Sequence, residues 1–261
     1  MNPDQRARRT TAVQRWIAAR DGVVHSADVR AAGFSAHDIA LAVDAGALTR
    51  IRRSWLATPQ SDDILRRAAS VSGRLTCVTL ATARGLWVPS PDPQRPRPHI
   101  AVPRSRSRID GEGLNLHWAA GPVPVGRTAL SDPLLNVLFH VARCLPRVDA
   151  LAVWESALRK GLTAPEILAR TQWRSTRAAE LAGQASVLSD SGIETVFVDG
   201  MRALGLTVRQ QVRIEGHRVD TLLVLRGYTI LRFDYQQILF DWEHVARTVL
   251  TALAQGLHRA R

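Results

Sequence analysis

The sequence of 261 residues is poor in cysteine and lacks several short catalytic motifs, and each absence excludes a class of protein. Its two cysteines, Cys77 and Cys144, lie in apolar stretches of helical pattern, without the spacing of a ligand pair. Neither a disulfide framework nor a zinc site is therefore predicted. A Gly-rich phosphate loop, a His-x-x-x-His pair and a nucleophile elbow are absent too, so common signatures of nucleotide-binding proteins, zinc proteases and α/β-hydrolases are missing.

Long apolar runs are also missing. The residues that follow the opening MNPDQRARR do not form the apolar core of a signal peptide, and no stretch is long enough for a membrane span. Internal repeats and low-complexity tracts do not occur. We therefore expect a cytoplasmic protein that folds around ordinary apolar cores and makes no contact with membranes.

Arginine is the residue type in clear excess. The net charge is +12, and Lys160 is the only lysine. The positive excess is +4 in residues 1–60, +5 in 61–130, +2 in 131–188 and +1 in 189–261. A basic front half predicts a polyanionic partner, most often nucleic acid. The alternative is that the arginine content reflects only a genome of high GC content.

The first 60 residues carry the pattern of a winged helix-turn-helix domain. A polar helix precedes two short helices capped by Ser26 and Ser35, and a glycine-containing turn joins these two. Two short strands follow and flank the basic tip Arg52-Arg53-Ser54. The predicted elements are helices over 5–20, 26–33 and 36–44 and strands over 48–51 and 55–57.

The expected partner of this domain is double-stranded DNA. In winged helices the second helix of the motif enters the major groove, and the wing meets the backbone or the minor groove. The candidate DNA-binding residues are Arg6, Arg8, Arg9, His37, Arg50, Arg52 and Arg53. Because the second helix otherwise offers only aspartates and apolar residues, we expect phosphate contacts with little sequence information. A docking module that kept the shape and lost the readout is the alternative.

The stretch GVV, the two helices and the wing GALTRIRRSWLA resemble the N-terminal domain of AbiEi-type antitoxins. Ser54 and Trp55 stand where the wing of that family has glycine and tyrosine. Residues 126–170 look similar to the AbiEi middle domain, with Arg127 and Asp132 at its motif positions. The resemblance implies a transcriptional regulator with a cognate toxin as a possible partner.

The region between 61 and 188 is predicted to be an α/β middle domain. Alternating residues indicate strands over 99–102 and 114–118, and a further short strand over 123–129. Ser131 is expected to cap a helix that runs to Leu145.

The last part of the chain resembles the restriction-endonuclease-like fold of the PD-(D/E)XK class, in its very-short-patch-repair branch. The match rests on Glu194 at the start of a helix, Asp220 on a strand, and the strand RGYTILRF, which ends beside Asp234. In active members such acidic residues hold a divalent ion that activates water and clamps a phosphate. The resemblance implies Glu194 and Asp220 as catalytic candidates. Under the nuclease alternative Asp234 and Gln236 join them, and Asp220 and Asp234 are ligands of Mg²⁺ or Mn²⁺.

The same segment departs from that family. Asp220 is followed almost directly by TLLVLRGY, where family members insert an acidic strand and a basic helix. The usual lysine is missing, because Lys160 lies outside the segment. We therefore expect a degenerate domain that is not an enzyme and holds no cofactor. If Asp234 and Gln236 rebuild the site, the alternative is a metal-dependent DNA endonuclease.

Together these patterns predict an α+β protein with three domains. They are a winged helix-turn-helix over 1–60, an α/β middle domain over 61–188 and a small restriction-endonuclease-like domain over 189–261. The predicted function is that of a DNA-binding, antitoxin-like transcriptional regulator. A protein-interaction module without DNA binding is a second alternative. The sequence leaves the operator, the toxin and the oligomeric state open.

Overall fold

The computed structural model describes residues 3–89, 97–103, 109–186, 192–208 and 231–257. In these ranges the protein combines helices with short strands, which confirms the predicted α+β class. None of the described helices is long and apolar enough to cross a membrane.

Contacts divide the chain into two compact units. The first holds Met1–Gly85, Ser90–Cys144 and Gln172–Ser175, and the second holds Leu86–Pro89, Leu145–Thr171 and Thr176–Arg261. A compact unit is not the same as a sequence domain, so the division into residues 1–60, 61–188 and 189–261 stays a prediction.

The N-terminal region, residues 3–57, contains three helices and one sheet. Its elements are α1 (Pro3–Ala18), β1 (Val23–His25), α2 (Ser26–Ala31), α3 (Ala36–Asp44), β2 (Thr49–Ile51) and β3 (Trp55–Ala57). The strands pair antiparallel in the order β1-β3-β2, so Leu56 pairs with both Val24 and Arg50. The helices and strands predicted here are confirmed within a few residues at their ends.

The apolar spacing of the helices explains why this region folds. α1 packs against α3. One cluster joins the helices to the sheet and contains Val13, Ile17, Val24, Val29, Ile39, Ala42, Leu48 and Leu56. Trp55 and Ala57 face a second buried cluster with Val23. Ser26 is the first residue of α2 rather than its cap, because the Nδ1 atom of His25 accepts the hydrogen bond from the Ala27 amide at 3.2 Å.

The second-sheet region, residues 63–144, follows in the same compact unit, except for Leu86–Pro89. Its elements are α4 (Asp63–Ser70), β4 (Arg74–Leu75), α5 (Cys77–Ala83), β5 (His99–Ala101), β6 (Asn115–His117) and α6 (Leu134–Cys144). The strand order is β4-β5-β6, antiparallel between β4 and β5 and parallel between β5 and β6. α5 packs against both α6 and β5.

Two sequence predictions in this region are wrong. The strand expected over 123–129 does not form, because the side chain of Asn136 replaces a strand partner: it accepts from the Val123 amide at 2.9 Å and donates to the Val123 carbonyl at 2.8 Å. Ser131 does not cap α6 directly. It forms a bridge with Leu75, and the helix begins at Leu134.

The second compact unit is helical in its described part. Its elements are α7 (Arg147–Arg159), α8 (Pro165–Arg170), α9 (Thr176–Gln184), α10 (Gly192–Ala203), α11 (Tyr235–Phe240) and α12 (Trp242–Ala254). α7 packs against α9 and α10 and buries Trp154 completely. The carboxylate of Glu155, also on α7, accepts from the Ser186 amide at 3.0 Å and from the Thr195 hydroxyl at 2.6 Å.

Candidate functional site

The candidate DNA-binding residues all lie on the surface of the N-terminal region. α1 carries the first three, α3 carries the histidine, and β2 with the turn after it carries the others. Each of them is exposed: Arg6, Arg8, Arg9, His37, Arg50, Arg52 and Arg53. The structure therefore leaves these side chains accessible to a large anionic partner.

The amino end of α3 is fixed by a reciprocal cap. The Ser35 hydroxyl accepts from the Asp38 amide at 3.1 Å, and the Asp38 carboxylate accepts from the Ser35 amide at 2.9 Å. Hydrogen bonds from the backbone and side chain of Ser35 lower the pKa of Asp38, and Arg9 contributes further. The Asp38 side chain is only 6% exposed. Its negative charge is therefore held locally rather than presented at the surface beside His37.

Arg9 connects α1 to this end of α3. Its Nε atom lies 3.7 Å from an oxygen of Asp38, while its side chain stays 53% exposed. An exposed pair of this kind contributes little to stability. The guanidinium group is therefore positioned beside the amino end of α3 and still accessible to a phosphate.

The turn between β2 and β3 has a defined conformation. Arg52 adopts a φ of +52°, in the left-handed region that non-glycine residues rarely occupy. Arg50 donates from Nη1 to the Arg53 carbonyl at 3.1 Å and so closes the turn. The turn that carries the basic tip is thus stabilised by a hydrogen bond from a side chain to the backbone of the same turn.

The structure describes the residues implied by the nuclease resemblance to different extents. Glu194 lies half-buried in the first turn of α10. Asp220 falls outside the described residues. Gln236 belongs to α11, but its side chain is not described.

Asp234 has a structural role that the sequence did not suggest. Residues 231–233 are not a strand, and Asp234 is instead the N-cap of α11. Its carboxylate accepts from the Gln237 amide at 2.8 Å, and the Gln237 side chain accepts from the Asp234 amide at 2.9 Å. This reciprocal cap occupies a side chain that the rebuilt-site alternative requires as a metal ligand.

A second candidate site lies in the second-sheet region and was missed by sequence reasoning. Cys77, His99, His117 and Cys144 each offer a ligand atom, and these atoms lie within 4.8 Å of one another. The Nδ1 atom of His99 is 3.0 Å from the Nε2 atom of His117 and 3.7 Å from the sulfur of Cys144. We call these four residues the Cys₂His₂ cluster.

Four different elements supply the cluster. Cys77 begins α5, His99 begins β5, His117 ends β6 and Cys144 ends α6. The parallel pairing of His99 with Asn115 and of Ala101 with His117 places both histidines on one face of the sheet. Cys77 and His99 are buried, His117 is half-buried and Cys144 is exposed.

The pKa values of the two thiols in the cluster are shifted in opposite directions. Hydrogen bonds from Cys77, His117 and His99 lower the pKa of the Cys144 thiol. The hydrogen bond with Cys144, together with burial, raises the pKa of Cys77. The arrangement therefore favours a thiolate at Cys144 and a thiol at Cys77.

A buried polar layer surrounds the cluster. The His140 ring packs on His117 with centroids 4.9 Å apart, and burial lowers the pKa of His140 to about 3. His140 is therefore neutral at pH 7, so its 3.8 Å approach to Asp132 is not an ion pair. Asp132 is instead neutralised by Arg74, whose Nε donates to it at 2.8 Å. Asn115 contacts the Nε2 atom of His99 at 2.9 Å.

Sequence signals for this cluster are weak. His99 and His117 are 18 positions apart, and His99 and Cys144 are 45 apart, far beyond the short intervals of zinc fingers. A usable signal would have been the placement of all four residues at the ends of predicted helices and strands.

No protein-family model matches the chain, and no curated protein matches it significantly.

Proposed function

We propose that the protein binds double-stranded DNA through its N-terminal region and acts as an antitoxin-like transcriptional regulator. The observation that carries this proposal is the element order of helix, strand, helix, helix, strand, strand with a β1-β3-β2 sheet. That order suits a winged helix-turn-helix, in which α3 would enter the major groove and the β2–β3 turn would serve as the wing.

The distribution of charge supports the same partner. Arg9 stands beside the amino end of α3, and the turn presents Arg50, Arg52 and Arg53. α3 exposes His37 but few other groups able to read base edges. The proposed interface therefore depends mainly on phosphate contacts, which position a protein on DNA without specifying a sequence. A cognate toxin, implied by the AbiEi resemblance, is proposed as the protein partner.

The experiment is a salt titration of DNA binding. Affinity for a fluorescent duplex should fall by about 0.9 log unit per log unit of salt for each phosphate contact. The double variant Arg52→Ala/Arg53→Ala should reduce the slope by roughly 1.8 if both residues contact phosphates. The control is Arg170→Ala/Arg247→Ala, which removes the same charge from exposed positions of the second unit. Equal slopes in the two double variants would contradict the proposal for the wing.

The alternative of a metal-dependent nuclease has less support, because Asp234 is engaged in capping α11. We propose that the C-terminal segment does not cleave DNA. Incubation of plasmid with the protein and Mg²⁺ or Mn²⁺ tests this proposal. Cleavage that Asp220→Ala abolishes would overturn it and would favour the nuclease.

A further inference from the structure

We propose that Cys77, His99, His117 and Cys144 bind one Zn²⁺ ion as a closed structural site. This inference is independent of DNA binding. It rests on the convergence of two sulfurs and two imidazole nitrogens from four elements that are distant in sequence.

The distances suit a tetrahedral ion. With Zn–N near 2.05 Å and Zn–S near 2.3 Å, a regular tetrahedron has edges of about 3.3 Å between nitrogens and about 3.6 Å between nitrogen and sulfur. The nitrogens of His99 and His117 are 3.0 Å apart, and the His99 nitrogen is 3.7 Å from the Cys144 sulfur. These two edges lie within a few tenths of an ångström of the tetrahedral values, and all four ligand atoms lie within 4.8 Å of one another.

The ligand types select the metal. Thiolates combined with imidazoles in a tetrahedron are typical of zinc, whereas Mg²⁺ and Ca²⁺ require oxygen ligands. Four protein ligands leave no open position for water or substrate. The site is therefore structural and not catalytic.

The backbone at Cys77 gives a second observation. Cys77 has a φ of +50°, which costs energy for a residue with a side chain. This residue begins α5, immediately after Thr76, whose amide donates to the His99 carbonyl at 3.1 Å. The left-handed conformation thus occurs at Cys77 itself, directly after the residue that is hydrogen-bonded to His99.

The neighbours of the histidines suit metal ligands. A ligating histidine usually donates its other ring N–H to an amide or carboxylate oxygen. Asn115 stands 2.9 Å from the Nε2 atom of His99, and exchanging its amide oxygen and nitrogen presents oxygen there, in place of the 3.4 Å hydrogen bond that the nitrogen donates to the Arg97 carbonyl. The Nδ1 atom of His99 is then left to face the ion.

Two simpler interpretations account for only part of the cluster. A disulfide between Cys77 and Cys144 would leave the convergence of the two histidine nitrogens unexplained. A hydrogen bond between the imidazoles would explain the 3.0 Å distance but not the two sulfurs. A single ion accounts for all four residues and connects α5, β5, β6 and α6.

The first test is the metal content of the full chain purified without chelators. We expect about one zinc ion per chain, and loss of most of it in Cys144→Ser, a change at an exposed helix end that should not prevent folding. His117→Ala should weaken zinc binding by about tenfold or more. The control is His244→Gln, a histidine of the second unit, which should keep the full zinc content.

A second measurement does not depend on any variant. The metal-free wild-type chain, kept reduced, should take up Co²⁺ and show the visible absorption bands of tetrahedral cobalt with thiolate ligands. Zn²⁺ should displace those bands at a stoichiometry of about one per chain. Failure of the reduced protein to bind either ion would overturn the proposal. So would a Cys77–Cys144 disulfide whose reduction gives no metal uptake, or Cys144→Ser retaining a full complement of zinc.

Discussion

The N-terminal region and the second-sheet region have different interiors. The main cluster of the N-terminal region consists of apolar residues such as Ile17 and Leu56. The second-sheet region buries polar groups as well: Thr76, His99, Asp132, Asn136 and His140. Apolar packing is tolerant of small errors, whereas buried polar groups need specific partners. The N-terminal region therefore depends mainly on apolar packing, whereas the second-sheet region combines an apolar core with several buried polar groups.

The largest expected effect comes from the apolar interior. Leu56→Ala should lower the free energy of unfolding by about 2–5 kcal/mol, because Leu56 is fully buried between sheet and helices. Chemical denaturation of the reduced protein measures the loss, and the same loss should appear with and without a zinc chelator. The control Leu162→Ala, at a side chain that is 46% exposed, should change little. A loss for Leu56→Ala that depends on the chelator would show that the stability of the N-terminal region is coupled to the proposed zinc site of the second-sheet region.

A smaller loss should follow from breaking the polar network. Asn136→Ala leaves the Val123 amide and carbonyl without their side-chain partner, at a cost of about 1–3 kcal/mol. Hydrogen exchange should show faster exchange of the Val123 amide, with little change at Val24 in the other region. Unchanged protection of Val123 would mean that another group replaces Asn136.

The next prediction concerns pH and the cap of α3. The pKa of Asp38 is lowered on folding, so its contribution to stability is present above its unfolded pKa of about 4 and is lost as pH falls through the folded value. Asp38→Asn should therefore cost about 1 kcal/mol at pH 7 and converge with wild type at low pH. Thermal unfolding between pH 7 and pH 2 measures the difference. Parallel curves would exclude Asp38 as the titrating group.

The smallest expected effect is at the exposed cap of α11. Asp234→Ala should cost about 0.5–1 kcal/mol, whereas Asp234→Asn should cost almost nothing, because asparagine is an equally good N-cap. Circular dichroism during thermal unfolding compares the two variants. An equal loss in both would indicate that the charge of Asp234, and not its capping, matters.

Local patterns predicted the N-terminal region well. The predicted cap Ser35 stands directly before α3, and the helix predicted over 36–44 is the one that forms. Such signals lie within one turn of helix, so a sequence contains them directly. The exposed arginines could also be identified, since charge is read from composition.

The same approach failed where partners are distant in the chain. The side chain of Asn136 accepts a hydrogen bond from the Val123 amide, and no sequence pattern between the two residues predicts this contact. The spacing of Cys77 and Cys144 in the sequence does not indicate a ligand pair. The parallel pairing of β5 and β6 nevertheless brings two histidines close to both cysteines. The strand predicted for RGYTILRF ends beside Asp234, but residues 231–233 do not form a strand, and the hydrogen bond that Asp234 accepts from the Gln237 amide caps a helix there.

Both cysteines of the chain belong to the Cys₂His₂ cluster, so thiol chemistry on the natural protein probes this cluster alone. A thiol-directed label can react at no other cysteine, so the number of labels per molecule measures the state of that cluster alone. Cys144 is exposed and Cys77 is buried, so a bulky reagent should modify the first well before the second. Because a labelled sulfur can no longer act as a ligand, the reaction rate of Cys144 with and without Zn²⁺ would report whether the ion occupies the cluster, without any engineered cysteine.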